Sequence, residues 1–159
     1  MEKEQIALVR DIMTEDIITA TPKTPLVEII RLITEKGLNG VPIKDDDGKL
    51  LGLVTEYDLI NHEILAGLPT PHNIANDTSS NEPEEIKNNI ARIKVLTAGD
   101  IMNPDPLTLF FTDSYEQALA MFNEHHRVNP VPVIDKDRKV VGIVSRYDLI
   151  KLLKLYGHT

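Results

Sequence analysis

The sequence predicts an α/β (α+β) fold in which one β-α-β-β-α unit occurs twice. Three observations support this fold class: a long internal repeat, an alternation of short apolar runs with helical patterns inside each copy, and a copy length too short for a separate core. The segment LLGLVTEYDLI at 50–60 returns as VVGIVSRYDLI at 140–150. An internal repeat is considered first because it determines the architecture.

The repeat covers residues 11–60 and 100–150. DIMTEDIITATPKTPLVEIIRLI aligns with DIMNPDPLTLFFTDSYEQALAMF, and NGVPIKDDDGKLLGLVTEYDLI aligns with NPVPVIDKDRKVVGIVSRYDLI, with one extra residue near EHHRV in the second copy. A unit of about fifty residues buries too little apolar surface to fold alone, so the two copies must share sheets or helices. We expect a first domain at 1–66, a linker with a connecting helix at 67–98 and a second domain at 99–159.

Each copy opens with a short extended segment, at 17–20 and 107–110, to which the phrase Asp-Ile-Met is expected to lead. An amphipathic helix follows, because apolar residues recur at helical spacing. Thr24-Pro25 marks the helix start in the first copy, and the pair Asp113 and Glu116 predicts a capping box in the second. The apolar positions are Leu26, Ile29, Ile30 and Ile33, and Tyr115, Ala118, Leu119 and Phe122.

Two short strands come next in each copy, at 41–43 and 50–54 and at 131–134 and 140–144. The second strand of each pair is apolar throughout, which predicts burial on both faces. A second helix begins at Thr55 or Ser145. Between the copies, LPTPHNIANDTSSNEPEE is typical of an exposed loop, and EEIKNNIARIKVL predicts the connecting helix.

Composition argues against several functions. The chain has 42% hydrophobic and 26% charged residues, a net charge of −8, and no cysteine or tryptophan. Scattered Lys and Arg and few aromatic residues argue against nucleic-acid partners. No apolar run is long enough to cross a membrane, and the first residues lack a signal pattern. We therefore expect a cytoplasmic protein without nucleic-acid or membrane partners.

Two polar clusters resemble metal sites only superficially. KDDDGK at 44–49 could hold a hard cation, but a turn with Gly at its tip explains it better. Adjacent histidines in EHHR point about a hundred degrees apart on a helix, and no third ligand lies nearby in the sequence. No metal and no resident cofactor are expected, and Mg²⁺ only together with ATP.

The repeated phrase carries the most specific chemistry. Thr55 with Asp58, and Ser145 with Asp148, place a hydroxyl and a carboxylate three residues apart where a buried strand enters a helix. The simplest interpretation is a helix cap, in which the two side chains satisfy the first turn. The same groups could also receive a ligand, since a hydroxyl can donate to phosphate and a carboxylate can accept from both ribose hydroxyls.

Capping alone does not explain the other matches. Tyr57 and Tyr147 are identical in both copies, and Gly52 and Gly142 indicate close backbone approach within the strand. Packing of two related copies could account for both features. No P-loop, G-x-G-x-x-G, H-E-x-x-H or G-x-S-x-G motif occurs, and a duplicated motif suits two binding sites better than one catalytic centre.

The doubled pattern DIM…T…G-V-P-I…G-x-V-T-x-x-D-L-I resembles a tandem pair of CBS (cystathionine β-synthase) domains, a Bateman module. The resemblance covers nearly the whole chain except the termini and the linker. It implies two repeats packed about a pseudo-twofold axis with clefts between them, a stand-alone module that forms a homodimer, and an adenosine-containing ligand such as AMP, ADP, ATP, S-adenosylmethionine or NAD.

The resemblance also implies the site residues. Asp58 and Asp148 would hold ribose hydroxyls, and Thr55 and Ser145 would face the phosphate or the ribose. Adenine would lie in an apolar slot made partly by the other copy. The matching positions are Met13, Ile18, Leu38 and Asn39 in the first copy and Met102, Leu107, Val128 and Asn129 in the second, with Tyr57 and Tyr147 beside the motif.

The chain departs from the family pattern at the cationic positions. Tyr57 and Tyr147 stand where many nucleotide-binding members have a basic residue before the Asp, and Gly40 and Pro130 stand where others have His or Arg. The substitutes for phosphate contacts all lie in the second copy, which favours Asp148 as the phosphate-side site. These candidates are Arg146, Arg127, His125 and His126.

The sequence therefore predicts a regulatory module, not an enzyme, that relays ligand occupancy to an unknown effector protein by a population shift. A second hypothesis is a ligand-free assembly module whose motifs only cap helices. A third, a small nucleotide-processing enzyme, predicts turnover of ATP or a related substrate.

Overall fold

The computed structural model describes residues 7–62, residue 64 and residues 84–156. Most of the predicted linker loop lies outside these described residues. The first part of the chain contains α1 (Val9–Ile12), α2 (Leu26–Lys36), β1 (Gly40–Lys44), β2 (Leu50–Thr55) and α3 (Glu56–Asn61). The second part contains α4 (Glu84–Val95), α5 (Ala98–Ile101), β3 (Leu109–Phe110), α6 (Tyr115–Glu124), β4 (Val131–Ile134), β5 (Val140–Val144) and α7 (Arg146–Tyr156).

Each copy builds a small sheet around an antiparallel strand pair. β1 pairs with β2 in the first copy, and β4 pairs with β5 in the second, with β3 added parallel to β4. The predicted opening strand of the first copy is reduced to one parallel bridge between Ala20 and Ile43. The predicted strand pairs are therefore present, and the opening strands are shorter than the sequence indicated.

The apolar faces of α2 and α6 form the centres of two cores. Leu26 and Ile29 of α2 are fully buried in the first core, and Ala118 and Phe122 of α6 are buried in the second. Gly37 caps the C-terminus of α2, and its φ of 64° lies in the left-handed region that glycine adopts without strain.

The predicted capping box of α6 is wrong by one residue. Ser114 caps the helix: its Oγ accepts from the Gln117 N–H at 3.1 Å, and Gln117 Oε1 accepts from the Ser114 N–H at 2.8 Å. The Asp113 carboxylate instead accepts from the Phe110 N–H at 2.8 Å and closes the turn after β3. Both Asp and Ser can cap a helix, and this turn after β3 decides which of them does.

The two Asp-Ile-Met segments are exchanged between the copies. Each forms a one-turn helix, not a lead into its own strand: α1 of the first copy packs Val9 and Ile12 into the second core, and α5 packs Ala98 and Ile101 into the first. Neither core is therefore made from one repeat alone.

Backbone hydrogen bonds fix this exchange. Thr14 exchanges both bonds with Ile143 of β5, at 2.9 and 3.0 Å, and Asn103 does the same with Leu53 of β2. The turns of the two copies also meet, since the Leu50 N–H donates to the Arg138 carbonyl at 2.9 Å. The contacts are reciprocal, as expected of two copies packed about a pseudo-twofold axis.

The remaining predictions about segments are largely met. β2 is buried except at Leu51, whereas β5 is only half-buried at several positions, so burial on both faces holds better for the first copy. α4 is the predicted connecting helix, with Ile86 buried and Ile93 packed against the first core. Within the described ranges, no helix has the length and apolar character needed to cross a membrane.

Candidate ligand-binding site

Both repeated motifs form the predicted helix caps. Asp58 Oδ2 accepts from the Thr55 N–H and from Thr55 Oγ1, each at 2.8 Å. Asp148 Oδ2 accepts from the Ser145 N–H at 2.8 Å and from Ser145 Oγ at 2.9 Å. In each pair the hydroxyl also accepts from the N–H of the Asp, at 3.3 and 3.4 Å. In both caps the carboxylate uses its Oδ2 atom. The other carboxylate oxygen, Oδ1, is the outer oxygen and takes no part in the cap.

A cavity of about 250 Å³ lies at the first of these motifs and is built by both copies. The exchange of the Asp-Ile-Met segments explains this, because it brings the chain after α5 alongside β2. The volume is near the lower end for small-molecule sites, which suits a ligand of nucleoside size. The lining residues are Leu53, Thr55, Tyr57 and Asp58 from the first copy and Asn103, Asp105, Pro106, Leu107, Arg127, Val128, Asn129 and Pro130 from the second.

Arg127 supplies a positive charge to this cavity. Its Nη1 donates to the Tyr57 hydroxyl at 3.0 Å, and its guanidinium carbon lies 5.9 Å from the centre of that ring. A hydrogen bond with the Asn61 side chain, together with the charge and hydrogen bond of Arg127, lowers the pKa of the Tyr57 phenol. The sequence associates Arg127 with Asp148 because both belong to the second copy. The structure places it in the cavity beside Asp58, since this cavity is lined by residues of both copies.

The two carboxylates differ in what contacts their outer oxygen. Asp58 is half-buried, and its Oδ1 accepts no hydrogen bond from any residue in the described part of the chain. Asp148 is only 3% exposed. Its Oδ1 accepts from Thr14 Oγ1 at 3.4 Å and from Lys151 Nζ at 2.5 Å.

Arg146 is directed toward its own repeat. Its guanidinium donates to the His126 carbonyl and lies 5.8 Å from the Phe122 ring, and its backbone N–H donates to Asn129 Oδ1 at 3.0 Å. At the equivalent position of the first copy, burial raises the pKa of Glu56, and the nearby Asp58 charge adds to this while Arg146 opposes it. Glu56 and Arg146, which occupy equivalent positions in the two copies, therefore interact electrostatically.

Three of the four second-copy positions predicted for the adenine slot lie in the cavity. Leu107, Val128 and Asn129 line it beside Asp58. Met102 and Met13 instead lie against the backbone of Gly52 and Gly142. The others are placed separately: Leu38 packs on the first core, Ile18 is 37% exposed, and the Asn39 carbonyl accepts from the Glu56 N–H at 3.4 Å.

Sequence reasoning missed five lining residues. Three of them, Asn103, Asp105 and Pro106, follow the second Asp-Ile-Met phrase directly, between the two predicted contacts Met102 and Leu107. Their position between two predicted contacts could have identified them as lining residues from the sequence. Leu53 and Pro130 also line the cavity.

The acidic segment at 45–48 forms the strand-to-strand turn that its sequence predicted. Asp45 Oδ1 accepts from the N–H groups of Asp47 and Lys49, at 3.0 and 2.9 Å. Across the described ranges, no three His, Asp or Glu side chains are arranged to hold a metal ion.

The structure is a tandem module of two interlocked β-α-β-β-α repeats with a cavity, lined by both copies, at a helix-start motif. The family model described as CBS domain matches residues 9–64 and 98–155. The chain therefore belongs to the CBS domain family, and the tandem pair predicted from the repeat is confirmed.

The relatives include a CBS domain-containing protein and an enzyme, each longer than the region that this chain matches. The chain is 29% identical over 140 residues to CBS domain-containing protein CBSX1, chloroplastic, of Arabidopsis thaliana, covering 86% of this chain and 59% of that protein. It is 26% identical over 150 residues to L-aspartate semialdehyde sulfurtransferase of Methanocaldococcus jannaschii, covering 94% of this chain and 24% of the enzyme. The chain thus spans about three fifths of the first relative and a quarter of the second.

Two similar solved structures contain adenosine compounds. CBSX2 in complex with AMP is 25% identical, with a TM-score of 0.71, covering 94% of this chain and 98% of that one. The CBS domain pair of protein MJ0100, in complex with 5′-methylthioadenosine and S-adenosyl-L-methionine, is 25% identical, with a TM-score of 0.67, covering 96% and 99%. These similarities confirm the predicted α/β (α+β) fold class.

Proposed function

We propose that this chain is a regulatory module that binds an adenosine-containing ligand in the cleft between its CBS repeats. The observation that carries the proposal is the cavity at Asp58, where a carboxylate oxygen without a partner among the described residues and the Arg127 guanidinium line one nucleoside-sized space. The complexes of CBSX2 with AMP and of MJ0100 with two adenosyl compounds support it.

Each part of such a ligand has a matching group in the cavity. Asp58 Oδ1 would accept hydrogen bonds from the ribose hydroxyls, since an ionised carboxylate oxygen has two acceptor positions. Arg127 would donate to a phosphate, a charge-assisted interaction. Leu53, Leu107 and Val128 offer apolar surface for the base.

The output would be a change in the relative position of the two repeats. The cavity is lined by both copies, so a ligand that contacts both stabilises the arrangement in which they are close. An effector protein, or another region of a larger protein, would recognise that arrangement. Both carboxylates of the repeated motifs cap helices, Asp58 also serves as the ligand acceptor in this scheme, and no catalytic role is proposed for either.

A thermal-unfolding screen tests the proposal directly. The ligands are AMP, ADP, ATP, S-adenosylmethionine, NAD and adenosine, with GTP as the control. A ligand at one hundred times its Kd adds about 2.7 kcal/mol to the free energy of unfolding, or several degrees in Tm at about 2–4 °C per kcal/mol. We expect this rise for an adenosyl ligand and its loss in Asp58→Ala. No rise with any of these ligands would overturn the proposal.

A ligand-free assembly module is the second candidate, and one observation favours an assembly role. α3 and α7 expose large apolar side chains: Tyr57 is 40% exposed, Ile60 60%, Tyr147 58%, Ile150 55% and Leu153 68%. We propose that a second copy of this chain covers this apolar face, giving a homodimer. A homodimer is compatible with ligand binding as well as with the ligand-free alternative.

The cellular compartment stays a prediction of the sequence. Its composition led to the expectation of a cytoplasmic protein, whereas the relative CBSX1 is named a chloroplastic protein. Localisation of the full-length protein by fluorescence tagging would decide between the two.

A further inference from the structure

We infer that one chain binds one adenosine ligand, at Asp58, because Lys151 occupies at Asp148 the acceptor position that the ribose would need. This inference rests on the proposed function and specifies which of the two repeated motifs performs it. It reverses the preference for Asp148 that the sequence suggested.

The acceptor positions of Asp58 match a ribose. An ionised carboxylate has two oxygens and about four hydrogen-bond acceptor positions. Asp58 Oδ2 uses two of them on the Thr55 N–H and hydroxyl. Asp58 Oδ1 accepts from no residue within the described ranges, so two positions remain for the two hydroxyl donors of a ribose.

The acceptor positions of Asp148 are all engaged. Oδ2 accepts from the Ser145 N–H and hydroxyl, as in the first copy. Oδ1 accepts from Thr14 Oγ1 at 3.4 Å and from Lys151 Nζ at 2.5 Å. A ribose at this carboxylate would have to displace an ammonium ion from a group that is 3% exposed, which costs binding free energy.

The difference follows from two substitutions between the repeats. Lys151 aligns with Asn61 of the first copy, one residue after the matched pair Ile150 and Ile60. Asn61 interacts with Tyr57, not with the carboxylate.

The second substitution is Thr14 against Asn103. The Asn103 side-chain oxygen accepts from the Asp105 N–H at 3.1 Å, and among the described residues Asn103 makes no hydrogen bond to Asp58. Both groups that fill Asp148 Oδ1 are thus absent from the first motif.

A third difference favours the same cleft. Arg127, which lines the Asp58 cavity, aligns with Gly37, so the first copy offers no cation at the equivalent position. The cleft with the open carboxylate therefore also has the guanidinium. The cavity thus combines one cation, Arg127, with one carboxylate oxygen free for a ribose, Asp58 Oδ1. A single guanidinium suits a nucleoside monophosphate better than a triphosphate, because a triphosphate carries more negative charge.

Lys151 is suited to a substitution test because its side chain is 44% exposed. Replacement by the first-copy residue, Lys151→Asn, should open Asp148 Oδ1. The reciprocal change, Asn61→Lys, should place an ammonium on Asp58 Oδ1, three residues from the carboxylate as in the second copy. Lys154→Asn on the same helix is the matched control.

Isothermal titration with AMP gives the number of sites per chain, and adenosine reports the ribose contact without the phosphate. Thermal unfolding without ligand verifies that each variant folds. We expect one site in the wild type and in Lys154→Asn, and at least tenfold weaker binding in Asn61→Lys. Lys151→Asn should gain a second site, weaker for AMP than the first because Gly37 supplies no cation.

The outcomes separate this inference from the proposed function. Two sites in the wild type, no second site in Lys151→Asn, or binding lost in Asp148→Asn and kept in Asp58→Asn would overturn the one-site inference while the proposed function stands. No binding of AMP or adenosine by the wild type or any variant overturns the inference. If the other adenosyl ligands also fail, the proposed function falls with it.

Discussion

The Arg127 guanidinium of the second repeat donates a hydrogen bond to the Tyr57 hydroxyl of the first repeat at 3.0 Å, beside the Asp58 cavity. This contact joins the two copies at the cavity where the proposed ligand would bind. It also keeps a cation within reach of the cavity, beside the uncharged lining residues Tyr57 and Pro130.

We expect Arg127→Met to weaken AMP binding by about tenfold to a hundredfold, because a charged hydrogen bond contributes about 1.5–3 kcal/mol. Adenosine, which has no phosphate, should bind nearly as before. Isothermal titration of both ligands measures the ratio, and Arg10→Met, an exposed arginine on α1, is the control. An equal loss for AMP and adenosine would show that Arg127 acts on the fold of the cavity and not on the phosphate.

The two strand glycines should differ in their tolerance of a side chain. A Cβ at Gly52 would lie 2.7 Å from the Asn103 backbone carbonyl, whereas a Cβ at Gly142 would lie 2.6 Å from the flexible Met13 Sδ. Overpacking costs about 1–3 kcal/mol, and we expect Gly52→Ala to be the more destabilising because the backbone cannot move aside.

Urea unfolding of both variants tests this difference. Combining Gly142→Ala with Met13→Ala should recover part of the loss, since the clash is removed with the side chain. If the double variant shows no coupling, the Met13 contact is not what limits the site.

We expect Leu153→Glu to convert the proposed homodimer to a monomer with little change in monomer stability. Leu153 is 68% exposed, and a charge buried at an interface without a partner is strongly unfavourable. Sedimentation velocity measures the assembly state. Val95→Glu, at a residue that is 77% exposed on α4, should leave it unchanged, and a wild-type monomer at all concentrations would contradict the dimer.

The cap of α5 predicts an acid dependence of stability. The Thr97 N–H and hydroxyl donate to Asp100 Oδ2 at 2.7 and 2.9 Å, and these bonds lower the pKa of Asp100 below its usual value of 3.8. The unfolded chain therefore takes up the proton first, so this contribution is complete above about pH 4 and is lost as the pH falls through the lowered pKa.

Asp100→Asn should accordingly flatten the decline of stability below about pH 4 relative to the wild type. Unfolding curves between about pH 2.5 and 6 measure the slope. A parallel decline in both proteins would mean that other carboxylates account for the acid sensitivity.

Local patterns were sufficient for most elements of the fold. The spacing of Leu26, Ile29 and Ile33 predicted α2 correctly, and the apolar runs predicted β4 and β5 at the observed residues. These features depend on the side chains of neighbouring residues, which a sequence displays directly. The cap of α6 was placed one residue early because Asp113 and Ser114 have similar capping chemistry and differ only in where the preceding turn directs them.

The composition of the cavity was predicted less well. Thr55 and Asp58 were named from the repeated motif and Leu107 from the family resemblance, but Arg127 was assigned to the other carboxylate and Asp105 was not named. The reason is the exchange of the Asp-Ile-Met segments, which mixes the two repeats in each core. The sequence of one repeat does not indicate whether its Asp-Ile-Met segment will pack in its own core or in the core of the other copy.

The sequence by itself determined the duplication, the β-α-β-β-α order of each copy and the two hydroxyl–carboxylate motifs, because each is encoded by residues close together along the chain. Only the tertiary structure decided that the motifs are unequal. The sequence shows that Lys151, Thr14 and Asn61 differ from their counterparts in the other copy. It does not show which of these side chains donates a hydrogen bond to Asp58 or Asp148, because that depends on distances in the folded chain. Lys151 and Thr14 both reach Asp148, whereas Asp58 Oδ1 has no hydrogen-bond partner in the described part of the chain.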